Sequence, residues 1–147
     1  MQMVTLGTLS LSGEAGVLAM RRKLLAVAQR FGVSSVKATQ LAAAASDHAK
    51  AVIQSSALEM LFKLNGSASA QELCFDFATT HRGIETLSRG GFDRVEPLID
   101  DERQGWRAVC NIDANDALNS ENIKSCQVVI AEQSVDELLE ALRANNH

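Results

Sequence analysis

The sequence predicts an α+β domain, a two-layer sandwich with helices on one face of a mixed or antiparallel sheet, followed by C-terminal helices. Three observations carry this. Apolar residues recur at three- and four-residue steps between residues 17 and 52. The period then drops to two on both sides of Asn65-Gly66, a turn signal between strands. A helical pattern returns in the last third. The chain has 147 residues, of which 46% are apolar, and a chain of about 150 residues buries around 68–70% of its unfolded surface without a metal or disulfide staple.

Met3–Leu11 alternates weakly through Val4, Leu6, Leu9 and Leu11 and reads as a strand or extended arm. Helix one follows, with Val17, Met20, Leu24, Val27, Ala28 and Phe31 on one face. Glu14 lies in its first turn and Gly32 ends it, while Arg21, Arg22, Lys23 and Arg30 fall mostly on the other face. Ser34 or Ser35 caps helix two, whose stripe is Val36, Leu41, Ala44, Ala45, His48 or Ala49, and Val52. Leu58, Met60, Phe62 and Leu64 then share a strand face. Leu73, Phe75 and Phe77 share one in the next strand, opposed by Cys74, Asp76 and Ala78, and the two runs form an antiparallel hairpin.

Residues 81–103 carry a mixed signal punctuated by Gly83, Gly90, Gly91 and Pro97, and Gln104–Ile112 fits strand or helix. Leu118, Ile123, Cys126 and Val129 or Ile130 fit a helix face, with a strand at 128–130 as the alternative. Ser134-Val135-Asp136-Glu137 has the form of a capping box ahead of Leu138, Leu139 and Leu142. That spacing would continue into a coiled coil. The expected organisation is therefore a domain over 1–112 and a helical segment over 113–147 leading to a coiled-coil linker, the N-terminal part of a longer signalling protein.

Composition excludes several functions. The formal net charge is -4, with seven Lys/Arg against three Asp/Glu in residues 1–70 and seven against fifteen thereafter. Neither half has a nucleic-acid footprint, and five Phe, one Trp and no Tyr give almost no stacking surface. No apolar run approaches the roughly 18 residues of a membrane span. The basic triplet Arg21-Arg22-Lys23 follows the first apolar stretch instead of leading it, so no secretory signal is read and the cytoplasm is expected. The three cysteines form no CxxC pair.

The segments VLAMRRKLLAVAQRFG and ATQLAAAASDHAKAVI, within Val17–Ile53, resemble the anti-sigma-factor serine kinases of the RsbT/RsbW type, a branch of the GHKL (Bergerat) histidine-kinase-like ATPases. The resemblance covers about the first 90 residues and implies that fold. In the family, helix two carries Ser-Glu-hydrophobic-x-x-Asn, whose Glu prepares the attacking hydroxyl or water and whose Asn holds the magnesium of ATP. Here Ser46 matches, Asp47 replaces the Glu, His48 the hydrophobic residue and Ala51 the Asn. An alanine binds no cation. The family's Asp-x-Gly-x-Gly, whose Asp takes the adenine amino group, falls on Thr79-Thr80-His81-Arg82-Gly83, where only the last Gly survives. The Gly-rich lid over the phosphates is reduced to Gly90-Gly91.

The resemblance thus implies a kept fold and a dismantled ATP site. The leading expectation is a non-catalytic regulatory or sensory module of bacterial signal transduction, acting by self-association as a homodimer or by docking a protein partner. No cofactor and no metal are expected, and a kinase or phosphatase domain in cis is the expected effector. The dimer or output helix would present Val135, Leu138, Leu139 and Leu142. One alternative is an ATP- and magnesium-dependent protein serine kinase with Asp47 as base. Another is a small-ligand sensor whose remodelled pocket uses Asp47, His48, Thr79, His81, Arg82 and Gly83. Each has a plainer role to set against it: His48 as a core side chain, His81 and Arg82 as solvated loop, Asp76 as an exposed strand residue, Trp106 as a packing anchor, and Asp100-Asp101-Glu102 as solvated acidic loop.

Overall fold

The computed structural model describes residues 2–66, 71–79, 85–88, 90–98, 103–112, 120–132, 138–139 and 142–143. His81, Arg82, Gly83, Asp100–Glu102, Leu118 and Ser134–Glu137, with Val135 among them, lie outside the described residues.

The helical spacing read from the sequence produces α1 (Gly13–Arg30), which buries Val17, Met20, Leu24, Val27 and Ala28. Its end is a Schellman motif. Gly32 takes φ +84°, a conformation that costs a glycine little. Its N–H donates to Gln29 O at 3.1 Å, and that of Val33 donates to Ala28 O at 3.0 Å. α2 (Ser35–Ile53) starts at the N-cap Ser34, whose hydroxyl accepts from Lys37 N at 3.2 Å. Its buried stripe runs through Ala38, Leu41, Ala42, Ala45, Ala49 and Val52. Val36 lies outside that stripe, 72% exposed, contrary to the sequence expectation.

Five strands form one sheet in the order β1-β2-β3-β5-β4. They are β1 (Gln2–Leu11), β2 (Leu58–Gly66), β3 (Gln71–Ala78), β4 (Arg94–Pro97) and β5 (Gly105–Ile112). Every described pairing is antiparallel. The hairpin is present as expected, with Phe62 opposite Phe75 and Met60 opposite Phe77. Residues 105–112 resolve as a strand, and β4 is an element that the mixed signal of 81–103 concealed. A short helix, α3 (Glu85–Ser88), buries Leu87 between α2 and β4.

The apolar face of the sheet carries Met60, Phe62, Leu64, Leu73, Phe75, Phe77 and Ala108, all fully buried. These share one core with Met20, Leu24, Val27, Leu41 and Ala45 of the two long helices. Phe62 and Phe75 meet edge-to-face at 5.4 Å between centroids, a favoured aromatic geometry. Trp106, opposite Phe77 on β5, is half-buried against this core.

α4 (Ser120–Ala131) packs on β1 and α1 and adds Cys126 and Ile130 to the core. Residues 128–130 are helical here. Gly7 permits the approach, because a Cβ on it would lie 2.9 Å from Ile130 Cβ. Lys23 departs from the polar face expected of it: it is 8% exposed, and its Nζ donates to Ile130 O at 2.9 Å. The ammonium thereby meets a carbonyl of the last turn of α4, where the helix dipole favours positive charge.

Candidate functional site

α2 and the end of β3 hold the residues that the resemblance assigns to nucleotide. An α-helix advances 100° per residue, so positions four apart share a face. Asp47 and Ala51 accordingly both face solvent, one turn apart. The face offers one carboxylate and then a methyl group.

The flanking side chains turn inward. Ser46 is 2% exposed, and its hydroxyl donates to Ala42 O at 2.7 Å within the same helix. His48 is 1% exposed, and its ring meets Phe77 edge-on at 5.1 Å and 85°. The histidine at the position that the resemblance gives to a hydrophobic residue packs against the core face of β3.

Thr79 is 8% exposed where the chain leaves β3, and its N–H donates to Gln104 O at 2.9 Å, extending the β3–β5 pairing by one bond. Beside it lies a crevice of about 550 Å³ lined by Ser55, Ser56, Glu59, Thr79, Arg103 and Gln104, among others. Arg103 and Glu59 pair across it at 3.1 Å. Asp47 and His48 are not among the described lining residues. The structure therefore separates the sequence candidates: Asp47 on a solvent face, His48 in the core, Thr79 at the crevice. Of the candidate output residues, Leu138, Leu139 and Leu142 are 46%, 45% and 58% exposed.

Sequence reasoning missed the charged lattice on the sheet face opposite the helices. Asp76, expected to be exposed, is 2% exposed at its centre. Its Oδ1 accepts from Arg107 Nε at 2.7 Å and its Oδ2 from Arg107 Nη2 at 2.9 Å. Lys63 Nζ approaches Oδ2 at 2.9 Å from the other side. Glu72 accepts from both terminal nitrogens of Arg94, whose Nε donates to Glu96 at 3.0 Å. The Arg94 hydrogen bond, partly offset by burial, holds the Glu72 carboxyl below its ordinary range. Donating to Asp76 likewise pushes the Arg107 guanidinium up, so it stays charged.

With Glu59–Arg103, these contacts engage four anions and four cations, each with an opposite partner. A carboxylate gripped by a guanidinium fork and an ammonium is poorly placed to abstract a proton, which makes Asp76 a structural group. A signal for this face existed. Glu59/Lys63, Glu72/Asp76 and Arg107 occupy the alternate positions of three strands, and the register sets Asp76 opposite Arg107.

Between the charges, Cys74 is buried and its thiol is pushed up to about 11, mainly by burial. Burial also raises Cys110 and Cys126, so all three thiols are poor nucleophiles at neutral pH. Among the described residues no cluster of three or more His, Cys, Asp or Glu is placed to hold a metal ion. No described helix is long and apolar enough to cross a membrane.

Among known proteins, no family model matches the chain, and no curated protein matches it.

Proposed function

We propose that the chain is a non-catalytic regulatory module of bacterial signal transduction, built on a histidine-kinase-like ATPase sandwich and acting by dimerisation or by docking a protein partner. The observation that carries this reading is the exposed face of α2, where Ala51 stands one turn beyond Asp47. Magnesium takes oxygen ligands in a near-octahedral shell, and a methyl group at the family's ligand position supplies none. Thr79 adds to the argument. It stands where the resemblance requires a carboxylate for adenine, and its backbone extends the sheet pairing instead. With both anchors replaced, the kinase alternative retains Asp47 as a base with no ordered phosphate for its substrate to attack.

One observation favours the sensor as a second reading. The crevice beside Thr79 is lined by hydroxyls, an amide and the Arg103–Glu59 pair, which suits a small polar ligand.

Thermal unfolding in millimolar Mg-ATP tests the proposal. Ligand stabilisation follows RT ln(1 + [L]/Kd), about 2.7 kcal/mol at a hundredfold excess over Kd. The expected result is a midpoint that does not move with nucleotide. A saturable, magnesium-dependent rise would overturn the proposal in favour of the kinase.

A further inference from the structure

The two edges of the sheet differ in kind. β4 is four residues long and carries Arg94, Glu96 and Pro97, the usual means by which an edge is closed to other chains: brevity, charge and a missing N–H. β1 is ten residues long, and its sequence QMVTLGTLSL contains no charged residue and no proline. Among the described strands only β2 pairs with it. Among the described residues its other edge has no strand partner, and it has neither brevity, charge nor proline to close it, only a bulge between Thr5 and Gly7.

We propose that this edge of β1 pairs antiparallel with the same edge of a second copy of the chain, joining two five-stranded sheets across a two-fold axis. Charge identifies the occupant. The chain carries a net -4, yet two copies meeting along β1 bring no like charges together in that strand. A two-fold contact requires such self-complementarity.

The side chains agree. Thr8 and Ser10 are exposed and stand opposite Leu61 and Glu59 of β2, on the sheet face away from the helices. Across the new pairing they meet Thr and Ser of the partner, a combination that favours cross-strand association. Leu9, half-buried on the helix side, gains apolar cover. α4 sits over the strand's core face at Gly7.

The bulge sets the strength. It shortens the uninterrupted run to Gly7–Leu11 and bends the strand. A contact confined to that run is small beside the roughly 1,200 Å² of a standard stable interface, so the dimer is a weak, reversible one. The guarded edge at β4 stops further growth, so the product is a closed dimer and not a filament. The inference stands apart from the signalling reading and names a different seam from Leu138, Leu139 and Leu142.

Sedimentation equilibrium of the whole chain from about 1 to 300 µM, a span suited to a weak contact, is the test. Wild type should move from monomer to dimer. Thr8→Glu and Thr8→Lys should each weaken association by about tenfold, because like charges near the axis repel, and an equimolar mixture of the two should restore it. Leu138→Asp should leave association unchanged. A wild type that stays monomeric, a Thr8→Glu variant that associates as wild type, or loss of the dimer in Leu138→Asp would overturn the proposal. Should the Thr8 variants misfold by circular dichroism, amide exchange on wild type decides: protection at Gly7–Leu11 should rise with concentration, and a flat profile overturns the proposal.

Discussion

The Asp76 carboxylate and the Arg107 guanidinium face each other squarely across β3 and β5, joined by two hydrogen bonds of 2.7 and 2.9 Å. The carboxylate is 2% exposed, so its solvation comes almost wholly from Arg107 and Lys63. Arg107→Leu should destabilise the fold by about 2–4 kcal/mol, somewhat under the usual cost of breaking a buried pair because Lys63 remains. Arg107→Lys keeps the charge but loses the fork and should fall between the two. Replacing both Asp76 and Arg107 with Leu should recover much of the loss, since no buried anion is then stranded. Urea midpoints measure all three, and a double variant weaker than Arg107→Leu would contradict this account.

The Glu72–Arg94 pair should appear in the pH dependence of stability. The folded-state pKa of Glu72 lies below its ordinary 4.5. Its contribution is therefore complete above that value and lost as pH falls through the folded pKa. The melting-temperature gap between wild type and Glu72→Gln should be widest near neutrality and should narrow below about pH 4.5. Because Arg94 is 44% exposed, added salt should shrink the gap. A gap that widens in acid would show the opposite linkage.

Gly7 and Ile130 form a close joint between α4 and the sheet. A methyl group at position 7 would overlap the Ile130 side chain, and overpacking of this kind costs about 1–3 kcal/mol. Gly7→Ala should lower the unfolding midpoint accordingly. Its penalty should be smaller when measured in an Ile130→Ala background, where the obstructing atoms are gone. Equal penalties in both backgrounds would place the strain elsewhere.

Much of the sandwich was legible because its elements carry one strong period each. Leu24 and Val27 lie on an apolar stripe, and Phe75 and Phe77 lie on a strand face. The structure seats them in one core. β4 was not legible, since Arg94-Val95-Glu96-Pro97 is too short for a period to show. Lys23 was misplaced because its partner, the Ile130 carbonyl, lies 107 positions away in the chain. No local pattern records such a distance. Asp76 was misjudged for a related reason: alternation puts it on the face away from the helices, but only the register shows that Lys63 and Arg107 close over it. At the candidate site the local sequence already shows that position 51 carries a methyl group and position 79 a hydroxyl where the resemblance asks for an amide and a carboxylate.

The claim on which the functional proposal turns is that α2 and the end of β3 no longer recognise Mg-ATP. A two-dimensional amide NMR titration reads those elements directly. With nucleotide and magnesium added to several millimolar, a concentration at which any Kd of about 1 mM or tighter is visible, the signals of Asp47, His48, Ala51 and Thr79 should stay in place. Saturable movement of those four, abolished by removing magnesium, would contradict the account and return the chain to the kinases.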